Sequence, residues 1–208
     1  MIRIEGFVLL PAFQTNTWLL FDDESMEAMI IDPSAPSHTL LNRIKEKGLK
    51  VLGIINTHGH GDHIGGNKFF SEHLTCELAI HIEDEQMLIN NKLNLSSYIG
   101  EDITPFPATK LLSGDDVLML GKNRLQIIHT PGHTKGSICI LCEKILLSGD
   151  TLFELSIGRT DLPGGCHESI IHSIKSKLFM LSDDVVVFPG HGSRTAIGIE
   201  KLNNPFVR

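Results

Sequence analysis

Positive charge in excess is missing from this 208-residue chain: 18 lysines and arginines face 25 aspartates and glutamates, for a formal net charge of -7. Such a balance lacks the basic surface on which nucleic-acid binding depends, so no nucleic-acid partner is expected. Long apolar runs are missing as well. No stretch approaches the roughly 20 apolar residues that cross a bilayer, and no basic start is followed by a long apolar core. The reading is a cytoplasmic protein with no membrane partner. Cysteine is scarce, and Cys76, Cys139, Cys142 and Cys166 are too few for a disulfide scaffold. Cys139 and Cys142 have the spacing of a zinc or redox pair, but Ser137–Glu143 reads as a strand, where residues three apart face opposite sides. Buried thiols are expected there, whereas Cys166 lies in a Gly-rich loop among candidate site residues. Low-complexity tracts and interdomain linkers are also absent. A chain of this length holds one well-buried core, so a single domain over 1–208 is expected.

What is present is a regular alternation of apolar segments and turn residues. Ile2–Leu10, Thr17–Phe21 and Ala28–Ile31, broken by Pro11, Asp22-Asp23 and Asp32-Pro33, predict a β-meander. Leu40, Leu41 and Ile44 at helical spacing predict a helix over 36–47, ended by Gly48. A buried strand at 51–56, a helix over 62–73, a strand at Glu77–His81 and a short helix at Glu83–Ile89 follow. Residues 91–112 carry Pro105, Pro107 and little periodicity, and are expected to form a long irregular connection of the kind that covers sites. Then come two strand pairs, Val117–Leu120 with Leu125–His129 and Ile138–Cys142 with Lys144–Leu147. An amphipathic helix over 167–181, a buried strand at Val185–Phe188 and a short helix from about Ala196 complete the chain. The pattern predicts a mixed α and β fold with two packed sheets and helices outside.

The chemistry collects where strands end. The apolar run to Ile55 gives way to Thr57-His58-Gly59-His60-Gly61-Asp62-His63. In extended chain, residues two apart share a face, so His58 and His60 can reach one ion; Gly59 and Gly61 permit the sharp turn that carries Asp62 and His63 to the other side. Three more apolar strands end the same way, in Thr130-Pro-Gly-His133, Ser148-Gly-Asp150 and Pro189-Gly-His191. Seven ligand-type side chains exceed the three or four that one zinc takes. They suit two divalent ions sharing a carboxylate, with a nitrogen and oxygen donor set that favours zinc and tolerates iron or manganese. The other histidines, His38, His73, His81, His129, His167 and His172, are expected on the surface or on helix faces. Tyr98 carries no signal separable from packing.

The Thr-His-x-His-x-Asp-His stretch resembles, residue for residue, the signature of the metallo-β-lactamase-fold hydrolases. That resemblance implies a four-layer αββα sandwich. It also implies a first metal set of His58, His60 and His133, a second of Asp62, His63 and His191, and Asp150 as the bridge. Further along, Gly149-Asp-Thr-Leu-Phe153, Ile157-Gly-Arg-Thr-Asp-Leu-Pro-Gly-Gly165 and Asn204-Pro-Phe206 resemble the short glyoxalase II-like, hydroxyacylglutathione hydrolase-like enzymes. The implied activity is binuclear hydrolysis of thioesters such as S-lactoylglutathione by a metal-bridging hydroxide held against Asp62. Full-length glyoxalase II adds a helical domain with glutathione-binding basic residues that this chain does not contain, so loose recognition of the thiol portion is expected. Arg159 is the remaining candidate substrate contact, unless it only braces its loop against Asp161. The alternative within the same resemblance is an iron-dependent persulfide dioxygenase, which shares the histidine motif and the Gly-Arg-Thr-Asp segment and to which Cys166 would add support. β-Lactam hydrolysis is not expected.

Overall fold

Alternating apolar side chains build the first sheet in the computed structural model, which describes residues 1–99 and 103–207. Its strands, hydrogen-bonded in this order, are β1 (Ile2–Leu10), β2 (Thr15–Asp22), β3 (Glu27–Ile31), β4 (Lys50–Ile55), β5 (Glu77–His81) and β6 (Lys110–Leu112). The first three pair antiparallel, as a meander should; β3 to β6 pair parallel. Strand period decides which side chains meet which layer. Leu20, Met29 and Ile31 point into the space between the sheets, while Leu19, Phe21, Ala28 and Ile30 point to the outer side.

Parallel pairing requires crossovers, supplied by α1 (His38–Glu46) and by the pair α2 (Gly61–Ile64) and α3 (Asn67–Leu74). The Ser37 hydroxyl caps α1 by accepting from the Leu40 N–H at 3.2 Å, and Leu40, Leu41 and Ile44 bury against the sheet's outer side. The helix expected over 62–73 is two pieces. Gly65 and Gly66 pass so close to the 33–35 backbone that a Cβ on Gly65 would lie 2.4 Å from the Ser34 carbonyl oxygen, and the chain turns there. The 82–89 segment winds as a 3-10 helix. Within 91–112 the structure adds one helical turn, α4 (Ser96–Ile99), and β6, which extends the sheet as its edge. β6 has only three residues, Lys110 and Leu111 being exposed, which is too short for periodicity to reveal. Residues 100–102 of that stretch lie outside the described residues.

The second half begins with β7 (Val117–Leu120), β8 (Asn123–His129), β9 (Ile138–Cys142) and β10 (Ile145–Gly149). A two-stranded ribbon, β11 (Leu152–Phe153) and β12 (Ser156–Ile157), leads to α5 (His167–Ser176), β13 (Val186–Pro189), β14 (Thr195–Ala196) and α6 (Ile197–Asn203). The helix expected to reach 181 stops at Ser176 and is followed by a 3-10 turn, Leu178–Met180, in which Leu178 keeps its buried place. Across the sheet the order is β14-β13-β10-β9-β8-β7. One apolar cluster lies between the two sheets. A second joins the first sheet to α1 and α3, and a third joins the second sheet to Ile170 and Ile174 of α5 and Ile197 of α6. The architecture is therefore the expected four-layer αββα sandwich. Cys142 belongs to the central layer and Cys139 to the outer one, so the two thiols face opposite sides; burial pushes both up to about 11.

Strand direction then assembles a site. β8 and β10 run the same way, each antiparallel to β9, and β13 is parallel to β10, so all three end at one rim. β4 of the first sheet reaches the same rim, where the Ile138 N–H donates to the Thr57 carbonyl at 2.8 Å.

Candidate metal centre

Seven side chains predicted from strand ends converge at this rim. Ring nitrogens of His58, His60 and His133 lie within 4.8 Å of one another, with His60 Nδ1 2.9 Å from His133 Nε2. A second group gathers Asp62, His63 and His191, with His63 Nε2 3.2 Å from His191 Nε2 and Asp62 Oδ2 3.3 Å from the same His191 nitrogen. Asp150 stands between the groups. Its Oδ2 is 3.5 Å from His133 Nε2 and 3.4 Å from His191 Nε2, and its Oδ1 is 3.5 Å from His63 Nε2. Donors held tetrahedrally at 2.0–2.1 Å from a zinc ion are about 3.3 Å apart, so these spacings fit the ions that the donor set suggests. His58 Nε2, His60 Nε2 and Asp150 Oδ1 are buried without a hydrogen-bond partner. Unpartnered buried polar atoms cost about 1–3 kcal/mol each, and a cation on either side of Asp150 would satisfy His58 Nε2 and Asp150 Oδ1, whereas His60 turns its Nδ1 into the cluster.

The ring orientations are set from outside the cluster. His63 Nδ1 donates to Asp32 Oδ2 at 3.0 Å, His133 Nδ1 to the Arg159 carbonyl at 2.8 Å and His191 Nδ1 to the Phe13 carbonyl at 3.0 Å. Each bond turns the other ring nitrogen, Nε2, into the site. Asp32 also accepts from the Thr57 N–H at 2.7 Å and the Thr57 hydroxyl at 2.5 Å, which locks the strand end that launches His58. Asp62 does not cap its helix: His60 occupies that position, and Asp62 sits in the first turn with the Thr15 hydroxyl donating to its Oδ2 at 3.2 Å. At Gly190 a Cβ would fall 2.2 Å from Asp150 Oδ1 and 2.7 Å from His63 Cε1, so the close approach requires glycine.

Burial and mutual repulsion divide the histidines into two electrostatic types. Burial, reinforced by the neighbouring histidines, lowers His58 well below the ordinary value and His60 to about 3. Burial acts the same way on His63 and His191, but carboxylates outweigh it. Asp62, Asp150 and Asp32 raise His63 to about 9, and Asp150 and Asp62 raise His191 to about 11. Burial alone would raise Asp62, yet the facing His63 and His191 bring it down to about 2; His63 likewise holds Asp150 well below the carboxylate range.

A cavity of about 520 Å³ opens onto His60, Asp62, His133, Asp150 and His191. Phe13, Leu95, Tyr98, Leu162 and Pro163 give it apolar walls, and Arg159 stands at its mouth. Arg159 is committed to Asp161 through Nε to Oδ1 at 2.8 Å and Nη2 to Oδ2 at 2.6 Å, so the local ion pair and the cleft position hold together. Cys166 lies elsewhere, in a separate depression with Glu83, His129 and Lys135, where hydrogen bonding by Ser169 lowers its thiol. His38, His73, His167 and His172 are exposed as expected. His81 is not: it is 3% exposed and stacks on His129 with ring centroids 4.1 Å apart, because it ends β5 facing the β8 loop and not solvent. Phe13, Thr15, Asp32 and Tyr98 were not singled out as site residues in the sequence. Asp32 had a signal, since it ends the apolar run Ala28–Ile31 in the way His58 and Asp150 end theirs.

A two-sheet sandwich whose rim carries His and Asp clusters suited to a dinuclear metal centre defines a metallo-hydrolase. The profile of the Metallo-beta-lactamase superfamily matches residues 10–191, and the chain belongs to that family. Hydroxyacylglutathione hydrolase GloC of Haemophilus influenzae is 38% identical over 202 residues, which cover 95% of each chain. Among solved structures, the BLEG-1 B3 metallo-beta-lactamase matches at a TM-score of 0.93 with 37% identity, covering 99% of both chains. TTHA1623 in a di-iron-bound form matches at 0.85 with 30% identity, over 97% of this chain and 99% of that one.

Proposed function

We propose that this protein is a binuclear metallo-hydrolase of thioesters, with S-lactoylglutathione as the substrate class to test first. The observation that carries the reading is Asp150 within 3.5 Å of ring nitrogens from both histidine groups, at the floor of the cleft. His58, His60 and His133 would hold one divalent ion, Asp62, His63 and His191 the other, and Asp150 both. When bound, the pair would polarise a substrate carbonyl and supply hydroxide near neutral pH. The chain's own part is orientation. Asp62, an acceptor fixed by Thr15, is positioned to align the nucleophile, and the apolar walls offer contact surface to the substrate beside it. The only carboxylates lining the cleft, among the described residues, are Asp62 and Asp150. No separate general acid is then available, which suits a thiolate, a leaving group that departs without protonation.

The relative named hydroxyacylglutathione hydrolase supports the thioester. The likeness to a metallo-beta-lactamase puts a β-lactam into the assay panel, and the likeness to a di-iron protein keeps iron beside zinc. Persulfide oxidation loses the support of Cys166, which lies outside the cleft. The test joins metal content to a substrate panel. Purified protein is expected to contain two ions per chain and to hydrolyse S-lactoylglutathione, with Asp150→Ala losing both metal and activity. Oxygen uptake on glutathione persulfide, or turnover of the β-lactam without the thioester, would replace the proposed activity.

A further inference from the structure

The 3-10 segment after β5 contributes a buried carboxylate, Asp84, whose hydrogen bonds among the described residues all come from neutral donors. These donors lie on two loops. Oδ2 accepts from the Gly59 N–H at 3.1 Å and from the Thr134 hydroxyl at 2.6 Å; Oδ1 accepts from the Gly136 N–H at 2.7 Å. Gly59 lies between His58 and His60, and Thr134 follows His133, so one side chain joins the two loops that supply the whole first triad. Those loops follow strands of different sheets: Gly59 precedes Asp84 by 25 residues, and Thr134 and Gly136 follow it by 50 and 52.

The same segment grips the histidine loop twice more. A Cβ on Gly59 would lie 2.4 Å from Met87 Cβ, so the loop rests directly on that side chain. The Met87 carbonyl accepts from Asn94 Nδ2 at 2.8 Å, and the Asn94 carbonyl accepts from the Gly61 N–H at 2.7 Å. Gly136 likewise has no room for a Cβ, which would sit 2.7 Å from Asp84 Oδ1. On the opposite side, the second triad depends on Asp32, Phe13 and Thr15, none of which touches Asp84.

We infer that Asp84 is a positioning residue for one metal only: by joining the His58–His60 loop to the His133 loop it sets the spacing of the first triad, and with it the affinity for the first ion. A carboxylate can do this because it accepts three hydrogen bonds at once, whereas an asparagine would offer an N–H to a site furnished only with donors. The inference rests on the triad assignment proposed above, and the experiment separates the two.

Zinc alone is titrated, against a competing chelator, into metal-free full-length protein in two parent backgrounds. His191→Ala leaves the first triad to be measured, and His60→Ala leaves the second. Adding Asp84→Asn to the first parent should weaken zinc by about 10- to 100-fold, the usual range for outer partners of metal ligands. Added to the second parent, it should change affinity by less than about threefold. If Asp84→Asn does not fold, Thr134→Val removes one of the three bonds and should weaken the same ion several-fold. Equal weakening in both backgrounds, or none in the first despite a lower melting temperature, reduces Asp84 to a structural tie and overturns the inference. Parents that bind no zinc at all overturn the triad assignment, and the inference with it.

Discussion

His63 and His191 differ from His58 and His60 only in the company they keep, and that difference has a measurable sign. In the metal-free protein at pH 7, carboxylates hold protons on His63 and His191, with values raised to about 9 and about 11, whereas burial strips His60, at about 3, of its proton. A cation entering the second triad must displace those protons, and one meeting His58 and His60 finds none there to displace. Zinc affinity at the second triad should therefore climb as pH rises through 9. Isothermal titration in buffers of different ionisation enthalpy would count the protons released. Stability follows the same linkage. A histidine raised on folding contributes stability that is complete below its unfolded value, near 6.5, and is lost as pH rises through the folded value. His63 thus predicts a metal-free melting temperature that falls from pH 7 to pH 9.5, and a rise over that window would contradict the assignment.

Among the elements, the connection from β12 to α5 does two jobs from one residue. The Arg159 carbonyl orients His133, and its side chain stands at the cleft mouth with its fork turned onto Asp161. The pair is exposed on both sides, where solvent screens it, so breaking it should scarcely change stability. Recognition should change instead. Arg159→Ala is expected to raise KM for a carboxylate-bearing thioester more than it lowers kcat, because binding common to ground and transition states is removed. Asp161→Ala, which frees the guanidinium for the substrate, should lower KM. Separate kcat and KM values for both variants decide the matter: the same KM defect in each, with a lower melting temperature, would mean the pair only braces the loop.

The molecule as a whole is closed across its seam by contacts that also frame the site. Asn16 Nδ2 donates to the Pro189 and Gly192 carbonyls at 3.1 and 3.0 Å, and Trp18 Nε1 to the Pro189 carbonyl at 3.0 Å. Each triad draws on both sheets, since His58, His60, Asp62 and His63 follow β4 while His133, Asp150 and His191 follow strands of the second. Bound ions would cross-link the two halves. Even one ion at a thousandfold excess over Kd adds about 4 kcal/mol, and in a chain of this size each kcal/mol raises the melting temperature by about 2–4 °C. Chelation is expected to lower the melting temperature by at least about 8–16 °C, reversibly on adding zinc. A shift under about 2 °C would mean that the ions do not join the halves.

Local chemistry made much of this legible from the residues in order. Period-two apolar segments gave the strands, helical spacing gave α1 and α5, and histidines beside glycines at strand ends marked the candidate metal centre. The αββα layering and the pairing of seven ligands into two sets came from resemblance to a family, because periodicity shows which residues are buried but not which strands are neighbours. Other features were beyond any local pattern. The break at Gly65-Gly66 depends on the backbone of 33–35, and the edge strand β6 is too short to show a period. Asp84 reads as an ordinary helix acid, and Asp32, although it ends an apolar run, does not show in the sequence which partners it serves. Their roles arise from partners 25 to 52 residues away, brought within hydrogen-bond reach only when the two sheets close on each other. The amino-acid sequence by itself determined which side chains could hold metal. The tertiary structure decided which donors are neutral, which are protonated and what holds them in place, because burial and long-range charge exist only once the chain is folded.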